Sequence, residues 1–173
     1  DLIPILKQYN VGVSTSIDGF EDVHNQARGG WKMTIENMLK LKRAGVKVNF
    51  IAVCSQHNYE HVKDIFLVAK EYGFGDFQLN IASSVCKINP NSTYVPLTEQ
   101  QMLDVYIQSL DCWRETGIGE KNLIRILSRF LSCDNDHHSE LRCENPFCHA
   151  GFNMLVFTPD GQMHMCSPAT HVH

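Results

Sequence analysis

Val46-Lys47-Val48-Asn49-Phe50-Ile51-Ala52-Val53 is nearly continuous in apolar residues, the pattern of a strand buried in a parallel sheet. What flanks it repeats the theme. Downstream, Val62, Ile65, Phe66 and Ala69 form one stripe of a helix over about 59–72, and Gly73 follows. Residues 76–82 read as another strand, with Phe77, Leu79 and Ile81 on one face and Gln78, Asn80 and Ala82 on the other. Upstream, residues 11–18 alternate, with Val11, Val13 and Ile17 opposite Ser14, Ser16 and Asp18, and Gly19 ends the strand. A polar loop is expected through His24 and Arg28. Thr34 can cap a helix carrying Ile35, Met38 and Leu39, which Gly45 stops. Strand, helix, strand, helix, strand with short connections means right-handed parallel βαβ units.

Residues 89–96, rich in Asn, Pro, Ser and Thr, form a linker. Thr98-Glu99-Gln100-Gln101 is a capping box opening a helix with Met102, Val105, Tyr106 and Trp113 on one face, ending at Gly117. Asn122 starts another helix with Leu123, Ile126, Leu127 and Phe130, and 133–142 is a polar loop. Trp31, Trp113, Phe66 and Tyr106 read as core or contact residues.

At 173 residues the chain can bury a core, and its formal charge of -4 gives no nucleic-acid or membrane signature. No apolar run reaches membrane-spanning length and no signal peptide is recognisable. Asp1 is not a natural start, so a fragment is expected. Seven cysteines without secretory context suggest a reducing cytoplasm rather than a disulfide framework. Cys54, Cys86 and Cys112 are scattered, whereas Cys133, Cys143, Cys148 and Cys166 lie late.

Among these, Cys143, Cys148 and Cys166 flank Leu155-Val156-Phe157-Thr158-Pro159-Asp160-Gly161, a strand and tight turn that brings Cys166 back toward Cys148. Three converging thiolates suit iron–sulfur or zinc, with His149 or His164 available as a fourth zinc ligand. Buried structural cysteines are the plain alternative. Cys133 could also ligate, but its polar surroundings suit a free thiol. The adjacent His137 and His138 read as solvated, and His24, His57 and His61 as loop or helix-surface residues rather than ligands.

Ser16-Ile17-Asp18-Gly19, then His24-Asn25-Gln26-Ala27-Arg28-Gly29, then a helix and a strand ending near Asn58, resembles the second half of a radical S-adenosylmethionine (SAM) barrel. The tail resembles the start of the auxiliary-cluster extension called SPASM or twitch: Cys148, twelve residues, Gly161, four residues, Cys166, with Cys143 upstream. The resemblance covers almost the whole chain. It implies an α/β fold: the C-terminal half of a partial (βα)6 barrel over 1–90, a helical bridge over 91–132, and a cysteine-rich SPASM-like piece over 133–173. The family's Cys-x3-Cys-x2-Cys motif, which binds the SAM-cleaving [4Fe-4S] cluster, is absent, as are the later SPASM cysteines. An internal piece of a longer enzyme is therefore expected, inactive alone, with the other barrel half supplied elsewhere.

By that resemblance, Arg28 contacts the SAM carboxylate, a pairing suited to a guanidinium fork. Ser16 and Asp18, leaving the end of a parallel strand, help hold the methionine and ribose. Asn58, with Gln78 and Asn80, would line the cavity. The bland readings are a solvated loop arginine and an aspartate in a strand-terminal turn. Cys143, Cys148 and Cys166 would hold an auxiliary [4Fe-4S] cluster. The implied activity is modification of a peptide or protein through a 5′-deoxyadenosyl radical, with flavodoxin or ferredoxin as electron donor. In the sulfatase-maturating branch an aspartate base follows the third cysteine; here Ser167 stands there, favouring a maturase of a ribosomally made peptide. The competing expectation is a non-catalytic zinc or iron–sulfur interaction module.

Overall fold

The computed structural model describes residues 2–82, 94–131, 156–157 and 160–164. The chain divides into two units, Asp1–Phe130 and Leu131–His173. In the first, β1 (Val13–Ser16), β2 (Val48–Cys54) and β3 (Gln78–Ile81) form a parallel sheet in that order. Val13 pairs with Val48 and Ser16 with Ile51; Ile51 pairs with Gln78 and Cys54 with Ile81. This is the βαβαβ arrangement expected from the alternation of elements. The central strand is less uniformly buried than its composition suggests. Phe50, Ala52 and Cys54 are buried, whereas Asn49, Ile51 and Val53 are half-buried.

Two helices cover the sheet. In α4 (Val62–Glu71), entered through a 3-10 turn at Tyr59–His61, the anticipated stripe of Val62, Ile65, Phe66 and Ala69 is buried, joined by Val68. In α3 (Trp31–Arg43), Ile35 and Met38 face the core. This helix begins at Trp31, a turn earlier than a Thr34 cap implies. Gly30 at φ 71° supplies the left-handed entry that a side-chained residue would resist. The Trp31 N–H then donates to Asn25 Oδ1 (3.2 Å) and its indole Nε1–H to the Gly19 carbonyl (3.0 Å). Phe50 stacks on Phe77 at 5.0 Å between centroids, and Phe66 meets Phe77 edge-on at 4.9 Å.

Several local expectations need correction. The polar loop through His24 contains α2 (Glu21–Ala27), and a short α1 (Ile3–Gln8) precedes β1. Val11, expected within the first strand on the face of Val13 and Ile17, precedes it and is 45% exposed, because the strand starts only at Val13.

The capping box forms as written: Gln101 N–H donates to Thr98 Oγ1 and the Thr98 N–H to Gln101 Oε1, opening α5 (Glu99–Thr116). Gly117, left-handed, closes it. The next helix, α6 (Lys121–Leu131), starts one residue before Asn122. Its cap is Glu120, which is 2% exposed. The carboxylate accepts from the N–H groups of Leu79 (2.7 Å), Asn122 (2.9 Å) and Leu123 (2.6 Å). Asn122 Nδ2 returns a bond to the Leu79 carbonyl (2.7 Å). The start of α6 is thereby locked onto β3.

In the second unit, β4 (Val156–Phe157) and β5 (Met163–His164) pair antiparallel, with Val156 opposite His164. The expected strand and turn are therefore present around Gly161, which sits at φ 84°. No described helix is long and apolar enough to cross a membrane.

Burial raises the Glu120 carboxyl above its ordinary 4.5, against the opposing pull of its backbone donors. The folded chain thus holds this proton to higher pH than the unfolded chain. Its contribution to stability is complete below about 4.5 and is lost as pH rises through the raised value. Chemical denaturation of Glu120→Ala should show a loss of about 3 kcal/mol, from stranded backbone donors. Glu120→Gln should lose about 1 kcal/mol and flatten the pH dependence. An unchanged midpoint in Glu120→Ala would remove the lock.

Candidate functional site at the strand ends

All three strands run the same way, so their carboxyl ends share one edge, where α/β sheets and barrels bind ligands. Ser16 ends β1, and Ile17, Asp18 and Gly19 follow it. Cys54 ends β2, and the turn Ser55–Asn58 follows.

Asp18 is fully buried. Its Oδ1 accepts from the Val53 N–H (2.8 Å), and its Oδ2 accepts from Arg28 Nε (2.6 Å) and the Tyr94 hydroxyl (2.7 Å). Its own N–H donates to His24 Nδ1 (3.2 Å), and its carbonyl accepts from Asn58 Nδ2 (3.3 Å). A buried carboxylate is tolerable only with this degree of pairing. Arg28, at the C-terminal end of α2, keeps 28% of its side chain exposed, and its guanidinium lies 5.1 Å from the Tyr94 ring centroid.

Asn58 is also fully buried. Its Oδ1 accepts from the Ser55 N–H (2.8 Å) and its Nδ2 donates to the Val53 carbonyl (3.0 Å) as well as to Asp18. The side chain clamps the β2 turn to the β1 end. His57 Nδ1 bonds Ser55 Oγ (2.7 Å), and the imidazole meets Tyr94 edge-on at 5.6 Å. Gln78 Nε2 donates to Asn80 Oδ1, which also accepts from Asn122 Nδ2. Those two β3 residues are thus tied to each other and to α6.

Burial lowers His24 below 6.5, with the Asp18 charge opposing; the same balance lowers His57. Burial, then the bond to Asp18, raises the Tyr94 phenol. Burial, reinforced by Asp18, pushes the Cys54 thiol up to about 12. Burial, with Glu115 adding to it, also raises Cys112. Both cysteines therefore stay as thiols at neutral pH. The pair Asp18–Arg28 carries the charge at this edge.

Of the residues singled out from sequence, Asp18, Arg28 and Asn58 meet directly through Asp18, and Ser16, the last residue of β1, lies two positions before it. Three participants escaped the reading. His24, expected in a polar loop, is 1% exposed and bonded to Asp18. Ser55 carries no pattern of its own. Tyr94 is an aromatic in an otherwise polar linker, a signal visible only in hindsight. Cys143, Cys148 and Cys166, with Cys133, His137, His138 and His149, lie outside the described residues. Among the described residues no group of three or more His, Cys, Asp or Glu could hold a metal.

The fold is similar to part of a solved radical SAM enzyme, and three structures carry the comparison. They are structures of anSMEcpe, an anaerobic sulfatase-maturating enzyme with a SPASM domain. Native anSMEcpe with bound AdoMet and Kp18Cys peptide has a TM-score of 0.61 at 18% identity, covering 75% of this chain and 39% of that one. Native anSMEcpe with bound AdoMet gives 0.62 at 19%, covering 75% and 38%. Histidine-tagged anSMEcpe with bound AdoMet gives 0.60 at 18%, covering 75% and 38%. The chain therefore spans under two fifths of those proteins' length, at 38–39%. No family model matches the chain, and no curated protein sequence does.

With its pKa depressed, His24 supports stability fully above 6.5 and loses that contribution as pH falls through its lowered value. Side-chain NMR titration should give inflections below 6.5 for both His24 and His57. A His24 that protonates above 6.5 would mean the imidazole is not enclosed as described.

Proposed function

We propose that this chain is part of a radical SAM enzyme that modifies a peptide or protein. In this reading residues 1–90 are the second half of the barrel, 91–132 a helical bridge, and 133–173 the start of an auxiliary-cluster extension. The observation that carries it is the Asp18–Arg28 pair at the carboxyl end of β1, in a fold shared with proteins that have AdoMet bound.

The donor set suits S-adenosylmethionine. Asp18 takes Arg28 through Nε, and the terminal nitrogens of the fork can meet a ligand carboxylate in two parallel bonds. Ser16 offers a hydroxyl at the same strand end for the methionine or ribose part. Bound S-adenosylmethionine, reduced by one electron at a [4Fe-4S] cluster, would supply a 5′-deoxyadenosyl radical, chemistry that no side chain possesses. The cysteine motif for that cluster would come from the other half of the barrel.

This chain's own residues orient and enclose. Asp18 fixes the guanidinium and offsets its charge. Asn58 acts through Asp18, holding its carbonyl and the β2 turn in one register. Neutral His24 and His57 and the Cys54 thiol add no competing charge beside a cationic sulfonium. Cys143, Cys148 and Cys166 are assigned to an auxiliary [4Fe-4S] cluster by their resemblance to the SPASM pattern, with flavodoxin or ferredoxin as electron donor and a cytoplasmic setting. The fold shared with anSMEcpe favours a second reading, sulfatase maturation. Ser167, standing where that branch has an aspartate base, counts against it and toward a peptide maturase.

Two variants of the full-length protein separate the parts. Arg28→Ala should weaken S-adenosylmethionine binding about 30-fold, the loss of a charge-assisted bidentate pair, and leave iron content unchanged. Cys148→Ala should lose the iron and sulfide of one cluster and keep binding. Stoichiometric zinc without sulfide, and no S-adenosylmethionine binding, would instead identify a non-catalytic metal module.

A further inference from the structure

Tyr94 is placed in part by bonds that do not involve its own side chain. The Gln56 N–H donates to the Val95 carbonyl (3.1 Å), and Gln56 Nε2 to the Pro96 carbonyl (3.3 Å). Gln56 and Gln101 exchange reciprocal amide bonds of 2.6 and 3.0 Å. Gln101 is also the reciprocal member of the capping box that opens α5. The segment 94–98 is therefore strapped to the β2 turn at one end and to a capped helix at the other. That strap delivers the Tyr94 ring to the strand edge.

Once there, the ring is held on three sides. Its hydroxyl donates to Asp18 Oδ2 (2.7 Å), the oxygen that also takes Arg28 Nε. The Arg28 guanidinium lies over its face at 5.1 Å. His57, anchored on Ser55, meets it edge-on. An arginine at a helix end, with 28% of its side chain exposed, would otherwise sample many rotamers. Here Asp18 fixes one nitrogen of the fork and the Tyr94 ring backs the guanidinium. A planar fork held in both respects binds a carboxylate with less ordering left to do.

We infer that Tyr94 is a positioning residue for Arg28: it presets the guanidinium plane so that the fork receives the carboxylate of the bound amino-acid moiety. The inference rests on the reading of this edge as an S-adenosylmethionine site, and assigns to the linker a role in ligand recognition. Its distinguishing consequence is selectivity. A residue that acts through Arg28 should matter for a ligand that has the carboxylate and not for one that lacks it. A residue that merely props up the fold should matter equally for both.

The test is equilibrium binding of S-adenosylmethionine and of decarboxylated S-adenosylmethionine to the full-length protein, wild type, Tyr94→Phe and Tyr94→Ala. Tyr94→Ala should weaken S-adenosylmethionine about tenfold and the decarboxylated ligand less than about twofold. Tyr94→Phe keeps the ring and loses only the bond to Asp18, so its loss should be about threefold and confined to the ligand with the carboxylate. Tyr94→Phe also guards against a Tyr94→Ala variant that does not fold. Equal losses for both ligands, or no loss in either variant, would overturn the assignment while leaving the site intact. A wild-type protein that binds neither ligand would overturn the site and the assignment together.

Discussion

A carboxylate taken out of water must find partners or lose its charge. Asp18 meets that constraint with three bonds to its carboxylate, and its backbone adds two more, the five coming from four parts of the chain. Val53 comes from β2, Arg28 and His24 from α2, Asn58 from the turn after β2, and Tyr94 from the linker before α5. Satisfying Asp18 therefore fixes how the β1 end, α2, the β2 turn and the linker sit relative to one another. The strand edge is polar yet ordered because one buried group sets its geometry. The same bonds leave Arg28 largely withdrawn from solvent with its fork held at one nitrogen, an arrangement that suits recognition of an anion.

Glu120 does the corresponding work at the other side of the sheet. Its carboxylate draws on β3 and on the first turn of α6, so the helix that follows α5 is registered against the strand. The two acids differ in one respect. Asp18 has a cation bonded to it, whereas Glu120 relies on backbone donors, with the Arg125 charge acting from further away. The first is suited to an edge where charge is used. The second is a cap, and burial raises its carboxyl against the pull of those donors.

Much of the fold was legible because it rests on short-range patterns. The apolar run of β2, the stripe of Val62, Ile65, Phe66 and Ala69, and the Thr98–Gln101 capping box each declare themselves within a few residues. What was misread depends on contacts between distant segments. Trp31 begins α3 early because its indole finds the Gly19 carbonyl twelve positions away. α2 looked like a loop because it is short and polar, and its helix is supported by burial of Val23 and His24. At the site, Asp18, Arg28 and Asn58 could be named from a resemblance, but their convergence could not be read from spacing. Tyr94 bonds Asp18 across 76 positions, and no local pattern announces such a pairing. The late cysteines lie outside the described residues, and their assignment to a cluster comes from the family resemblance of their spacing.

The central claim is that Asp18 acts on the ligand through Arg28, as one unit. A double-mutant cycle in S-adenosylmethionine affinity tests it most directly, using Asp18→Asn, Arg28→Ala and the double variant of the full-length protein, each verified as folded by circular dichroism. If the two residues form one unit, each single change weakens binding and the double variant is little weaker than Arg28→Ala alone. Losses that simply add would show that Asp18 and Arg28 act independently, and the account of this strand edge as a preset carboxylate site would be wrong.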